Sequence, residues 1–166
     1  CARGKFQVQD PSFAPELALT VVFRGGLVAY LNGAEIGRAG MPDGPVTPQT
    51  PALDYPKHVF ADKDGTPLAE PLNGGQLKDA DLVARQQKRL RRLEVKIPPA
   101  ALRKGVNVLA LEVHRAPGHG AMVTNVMRIH DWSYMMGRGQ QIDYRLFGTG
   151  HWWNRAALEE IRLTAP

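Results

Sequence analysis

The 166-residue chain is 43% hydrophobic and 22% charged, ordinary values for one folded domain and unlike those of a disordered segment. Thirteen prolines and 17 glycines punctuate it into many short segments, which favours strands and turns over a helical bundle. The single cysteine, Cys1, excludes an internal disulfide, and no apolar run approaches the ~18 residues of a membrane span.

The chain opens on Cys1 rather than Met and shows no signal peptide, so it is expected to be a piece of a longer protein. A first-position cysteine is also what a mature lipoprotein carries. Here strand-like sequence begins almost at once, at Gly4-Lys5-Phe6-Gln7-Val8, without a polar tether, and an ordinary cysteine is the favoured reading.

Leu17 to Phe23 reads as a buried strand, short, apolar and β-branched toward its end. Gly25-Gly26 is expected to supply a tight turn into a return strand over Leu27–Leu31. Asn32-Gly33 then marks a type I′ hairpin turn, which needs positive φ at both positions, and Ala34–Arg38 leaves it as a third strand. The expected product is a three-strand meander. Residues 40–76, rich in Pro, Gly, Asp and Asn, read as a long insertion. Within it Asp62-Lys63-Asp64-Gly65 has the flavour of a calcium loop but lacks the spaced Glu, so a plain Asp-Gly turn is favoured. Leu77 to Arg92 has room for one short helix of poor apolar spacing. Leu93, Val95 and Ile97 alternate with Glu94 and Lys96 as in a half-buried strand. Pro98-Pro99 stops that strand, and Ala100–Lys104 reads as one helical turn closed by Gly105. Val106 to His114 is a strong strand, with Leu109, Leu111 and Val113 on its inward face. Residues 121–156 hold the three tryptophans and several glycines and are hard to parse; Leu158–Leu163 reads as a last strand.

Charge is localised. Arg85, Lys88, Arg89, Arg91, Arg92 and Lys96 stand against one acid, Glu94, so this stretch carries the whole excess of +5 and the remainder balances. Such a cluster is expected to form an exposed cationic surface, with Lys88, Arg89, Arg91 and Arg92 as candidate holders of sulfate, carboxylate or phosphate groups. A solvated charged loop, or a dock for an acidic neighbouring domain, is the blander alternative. Nucleic acid is disfavoured, because no aromatic residue is interleaved with these cations.

Catalytic signatures are absent: no Gly-x-Ser-x-Gly, no His-Glu-x-x-His, no P-loop and no Cys-x-x-Cys. The histidines at 58, 114, 119, 130 and 151 lack metal-ligand spacing, although His114 and His119 flank one turn. Glu159 and Glu160 would point to opposite faces of a strand, and Asp62/Asp64 and Asp79/Asp81 have no partner in view. No cofactor is expected, and a structural calcium has no motif behind it. The aromatic stretch is the better candidate. Sugar rings stack their C–H faces on flat aromatic surfaces while polar groups grip the hydroxyls. Asp131, Trp132, Tyr134, His151, Trp153 and Asn154 offer that chemistry, with Trp153 foremost because Trp152 would face the other way. The competing reading is that these aromatics cap a core beneath a long loop.

Val28-Ala29-Tyr30-Leu31-Asn32-Gly33-Ala34-Glu35-Ile36-Gly37-Arg38 resembles the Leu-Asn-Gly hairpin of galactose-binding-like jelly rolls. Leu102-Arg103-Lys104-Gly105-Val106-Asn107-Val108-Leu109-Ala110-Leu111-Glu112-Val113-His114 is similar to their Gly-x-Asn-x-Leu-Ala-Leu-Glu-Val segment. Arg3–Val8 resembles their incoming strand, and Leu158–Leu163 their last. The resemblance implies an all-β antiparallel sandwich with long inserted loops, a single domain over residues 1–166 cut from a larger secreted or cell-envelope protein. It implies an accessory module without catalysis, of the sort found beside β-galactosidase-like hydrolases or as carbohydrate-binding modules. Three roles stay open: a glycan-binding module, a structural module packing on a neighbouring domain of the parent chain, and a subdomain lending a residue to a neighbour's active site.

Overall fold

Alternation of buried and exposed side chains gives a strand one inward face, and it is clear over Leu17–Arg24, Arg91–Ile97 and Gly105–His114. The computed structural model of the chain describes residues 1–59, 87–117 and 156–165. The chain divides into two units, one of Cys1–Leu53, Leu90–Ala116 and Ala156–Pro166, the other of Asp54–Arg89 and Pro117–Arg155. In the second, the described residues show a 3-10 turn over Lys57–Val59, with Tyr55 and Val59 buried.

The first unit is all-β. Its strands are β1 (Ala2–Val8), β2 (Leu17–Arg24), β3 (Gly26–Leu31), β4 (Ala34–Ala39), β5 (Arg91–Ile97), β6 (Gly105–His114) and β7 (Ala157–Thr164). They form a four-stranded sheet in the order β1-β6-β3-β4 and a three-stranded sheet in the order β5-β2-β7, with every pairing antiparallel. Leu19, Val21 and Phe23 of β2 and Leu93 and Ile97 of β5 meet Leu27, Ala29 and Leu31 of β3 and Leu109 and Leu111 of β6 in one core. Val113 is partly buried against it, so Leu109, Leu111 and Val113 do share the inward face. The arrangement is sandwich-like: a Cβ added at Gly37 of β4 would press on Val95 of β5, so the two sheets approach closely along that side. Leu111, 2% exposed, sits at the centre; Leu111→Ala is expected to cost ~2–5 kcal/mol, read as a lower denaturation midpoint.

Asn32 and Gly33 take φ of 52° and 87°, and Leu31 pairs with Ala34, so the predicted hairpin is present. The three-strand meander is not. β2 and β3 belong to different sheets, and Gly25, at φ 90°, turns the chain from one sheet to the other instead of closing a hairpin. β2 pairs instead with β5 and β7, strands much later in the chain. Of the stretch 77–92, where one short helix is expected, only 87–92 are described: Gln87 is helical, Lys88 and Arg89 lie in a turn, and Arg91 and Arg92 already belong to β5, paired with Phe23 and Val22. Between β5 and β6 the turn is a 3-10 turn over Pro99–Ala101, with the Leu102 amide donating to the Pro99 carbonyl at 2.9 Å.

The expected insertion also begins later than residue 40. Residues 40–53 are fastened to the sandwich by the Ala52 amide on the Arg115 carbonyl (2.9 Å) and the Leu53 amide on the Gly40 carbonyl (2.8 Å). Arg91 ties the same segment down, its guanidinium donating to the carbonyls of Gly25 (2.8 Å), Gly40 (3.3 Å) and Leu53 (2.9 Å).

Candidate ligand-binding face

Residues opposite one another in a sheet share a face, so the register determines which polar side chains meet. On the face of the four-stranded sheet turned away from the sandwich core, where Val28 and His114 are themselves buried, Tyr30 lies opposite both Ala110 and Glu35, and Val28 lies opposite both Glu112 and Arg38. Glu35 and Arg38 are three residues apart and would face opposite ways in a regular strand. A bulge opposite the Ala29/Tyr30 step leaves Ile36 without a partner in the register and turned to the core, which brings both charged residues outward.

The consequence is a two-point ion pair. Arg38 donates from Nε to Glu35 Oε1 at 2.6 Å and from Nη2 to Oε2 at 2.7 Å, while its Nη1 donates to the Gly44 (2.7 Å) and Pro42 (3.3 Å) carbonyls. Those bonds from Arg38 hold the Glu35 carboxyl below the usual carboxylate range. The Tyr30 hydroxyl donates to Glu112 Oε2 at 3.3 Å. On the other side of Glu112, His114 Nε2 lies 3.4 Å from Oε1, and its Nδ1–H donates to the Thr50 carbonyl at 2.8 Å. Tyr30, Glu35, Arg38, Glu112 and His114 thus form a polar row across three strands, with an aromatic ring in its middle.

Partial burial and then the neighbouring charge of Glu112 push the Tyr30 phenol above its usual pKa. The unfolded chain therefore releases that proton first, and stability falls as pH rises past about 10. Glu112→Gln removes one cause of the shift, so the phenol should ionise earlier in a phenolate-absorbance titration and the alkaline loss of stability should flatten. An unchanged titration would show that Glu112 does not govern the phenol.

Sequence reasoning passes over this row except for His114, whose Nδ1–H donates to a backbone carbonyl; His119, the residue it is considered with as a metal ligand, lies outside the described residues. Among the described residues no group of three His, Cys, Asp or Glu could hold a metal ion. Asp131, Trp132, Tyr134, His151, Trp153 and Asn154 lie outside the described residues, as do Asp62, Asp64, Asp79, Asp81 and His119.

The described members of the basic stretch differ in exposure and in partners, and Arg85 lies outside the described residues. Lys88 is exposed, but Arg89 is only 3% exposed. Arg91 spends its guanidinium on three backbone carbonyls. Arg92 faces outward from the three-stranded sheet and donates to Glu94 at 2.6 Å. Strand geometry explains the scatter, since Arg91 and Arg92 are neighbours on β5 and must point to opposite faces. That outward face is charge-balanced along its flanks, by Arg92 with Glu94 on β5 and Arg162 with Glu160 on β7, while the central strand contributes Ala18, Thr20 and Val22.

Comparison with family models, curated proteins and solved structures returned no match for the chain.

Proposed function

We propose that the chain is a non-catalytic accessory module of the galactose-binding-like jelly-roll kind, which holds a larger secreted or cell-envelope protein on carbohydrate. The observation that carries the binding role is the polar row on the four-stranded sheet, where Tyr30 stands between Glu35 with Arg38 and Glu112. Sugar recognition uses this combination: an aromatic ring for the C–H face and pre-oriented carboxylates and guanidinium groups for the hydroxyls. The aromatic stretch containing Trp132, Tyr134 and Trp153, with Asp131, His151 and Asn154, is a separate candidate for the same role, put forward on its sequence chemistry alone. The jelly-roll reading is supported by the meeting of the two segments that carry the resemblance. The Asn32 side chain donates to Asn107 Oδ1 at 2.9 Å, so the Asn-Gly hairpin and the Gly-x-Asn strand lock together.

A purely structural module would be expected to offer a broad apolar face to its neighbour. Among the described residues the large exposed hydrophobics are Phe13, Leu53, Val106 and Ile161, set on four separate segments. No cofactor takes part in the proposed binding role.

The test is titration with a panel of neutral and acidic oligosaccharides, followed by NMR shifts of tyrosine ring and indole N–H signals. A single platform implies weak binding, roughly millimolar. Tyr30→Ala should weaken it several-fold if the sheet face is used, and Trp153→Ala if the aromatic stretch is. A panel in which no glycan moves any of these signals would replace the carbohydrate reading with the structural one.

A further inference from the structure

β7 ends the three-stranded sheet, and its far edge pairs with no described strand. A free edge presents unpaired N–H and C=O groups, and stable proteins guard such edges with charge, above all with charge turned inward. At the centre of β7 no charge is turned inward. Its inward positions are Leu158, Ile161 and Leu163, opposite Phe23, Val21 and Leu19 of the core, and of these Ile161 is 48% exposed. Its charges, Glu160 and Arg162, stand on the outward face, paired to each other at 2.6 Å. Glu159, at the bulge, is held toward β2 by Arg24 at 2.7 Å and leaves the edge to those two.

We propose that β7 pairs antiparallel with β7 of a second copy of this chain, centred on Ile161. Two-fold symmetry requires the strand to be complementary to itself. Centring on Ile161 sets Ile161 against its own counterpart on the inner face and Glu160 opposite Arg162 of the other copy, twice over, on the outer face. A one-residue slip would place Ile161 opposite a charged residue of the wrong face. Centring on Glu160 or on Arg162 would set like charges against each other, which destabilises a cross-strand pair. Of these registers, only the one centred on Ile161 satisfies both faces over residues 160–162. It joins two three-stranded sheets into one continuous sheet and covers the exposed Ile161 side chain. Contact through one short strand is smaller than the ~1,600 Å² of a standard interface, so the dimer is weak and concentration-dependent.

Sedimentation velocity from ~1 μM to ~1 mM protein, a range that spans weak self-association, should show a monomer passing into a dimer. Glu160→Arg and Arg162→Glu each replace two cross-strand attractions by repulsions, and each alone should raise Kd at least about tenfold. The double exchange Glu160→Arg/Arg162→Glu restores complementarity and should restore association. An equimolar mixture of the two single variants should form a heterodimer more strongly than either variant self-associates. These side chains are exposed, and far-UV circular dichroism checks that every variant is folded. Wild-type protein that stays monomeric throughout, or a dimer indifferent to both single exchanges, would overturn the proposal.

Discussion

Gly25→Ala is expected to be the most damaging single-methyl substitution in the sandwich, lowering stability by ~3–5 kcal/mol. Two costs combine. Gly25 sits at φ 90°, where an L side chain is strained by ~1–3 kcal/mol. The added Cβ also falls on the backbone carbonyl oxygen of His114, which cannot step aside without disturbing the pairing of Gly26 with His114. Overpacking of this sort adds ~1–3 kcal/mol. The Gly25 carbonyl is also where Arg91 docks, so movement there loosens residues 40–53 as well. Gly105→Ala is the control. Gly105 has nearly the same φ, 88°, but open space around its Cβ, so only the conformational cost of ~1–3 kcal/mol applies. Chemical denaturation midpoints compare the two directly. Equal losses would show that the His114 carbonyl yields to the methyl group.

Asn107→Ala is expected to cost ~2–4 kcal/mol although it removes a polar group from the interior. Asn107 is 0% exposed and fully used. Its Oδ1 accepts from the Arg103 amide (2.9 Å) and from Asn32 Nδ2 (2.9 Å), and its Nδ2 donates to the carbonyls of Arg103 (2.7 Å) and Gly105 (3.3 Å). Asn32 closes the ring: its amide donates to the Val108 carbonyl at 2.8 Å and its Oδ1 accepts from the Val108 amide at 3.0 Å. Truncation takes the partner from several part-buried groups at once, each costing up to ~1–3 kcal/mol of desolvation. Asn107→Asp keeps the acceptor but turns a carboxylate oxygen toward two carbonyls, and should be at least as costly. Asn32→Gly preserves the left-handed turn while deleting its side-chain bonds. A double-mutant cycle with Asn107→Ala should return a coupling of ~0.5–3 kcal/mol. Additive losses would mean that the two asparagines act separately.

Much of the strand framework is legible in the chain because alternation is a local property. Leu93, Val95 and Ile97, or Leu109 and Leu111, announce an inward face wherever their strand lies. Asn32-Gly33 announces its turn because the requirement for positive φ falls on those two residues. Gly25-Gly26 misleads for the complementary reason. Local chemistry demands flexibility there, but whether the chain folds back or crosses to another sheet depends on the His114 backbone far along the chain. The Glu35–Arg38 pair is hidden by a bulge that no spacing rule anticipates. Arg91 counts as surface charge in any linear reading; only the convergence of three carbonyls, from Gly25, Gly40 and Leu53, makes it an internal tie.

The pairing of β2 with β7 bears on how fast this sandwich is made. Thr164 Oγ1 reaches the Ala18 carbonyl across 146 positions of chain, and Asn32 reaches Asn107 across 75. Closing such loops costs entropy before any contact rewards it, and folds dominated by distant pairings assemble in milliseconds to seconds rather than microseconds. During synthesis β2 emerges long before β7, so its apolar Leu19, Val21 and Phe23 wait without that neighbour until residues 157–164 leave the ribosome. The vulnerable species of this protein is therefore the nascent chain, and chaperone demand should track the delay between those two strands.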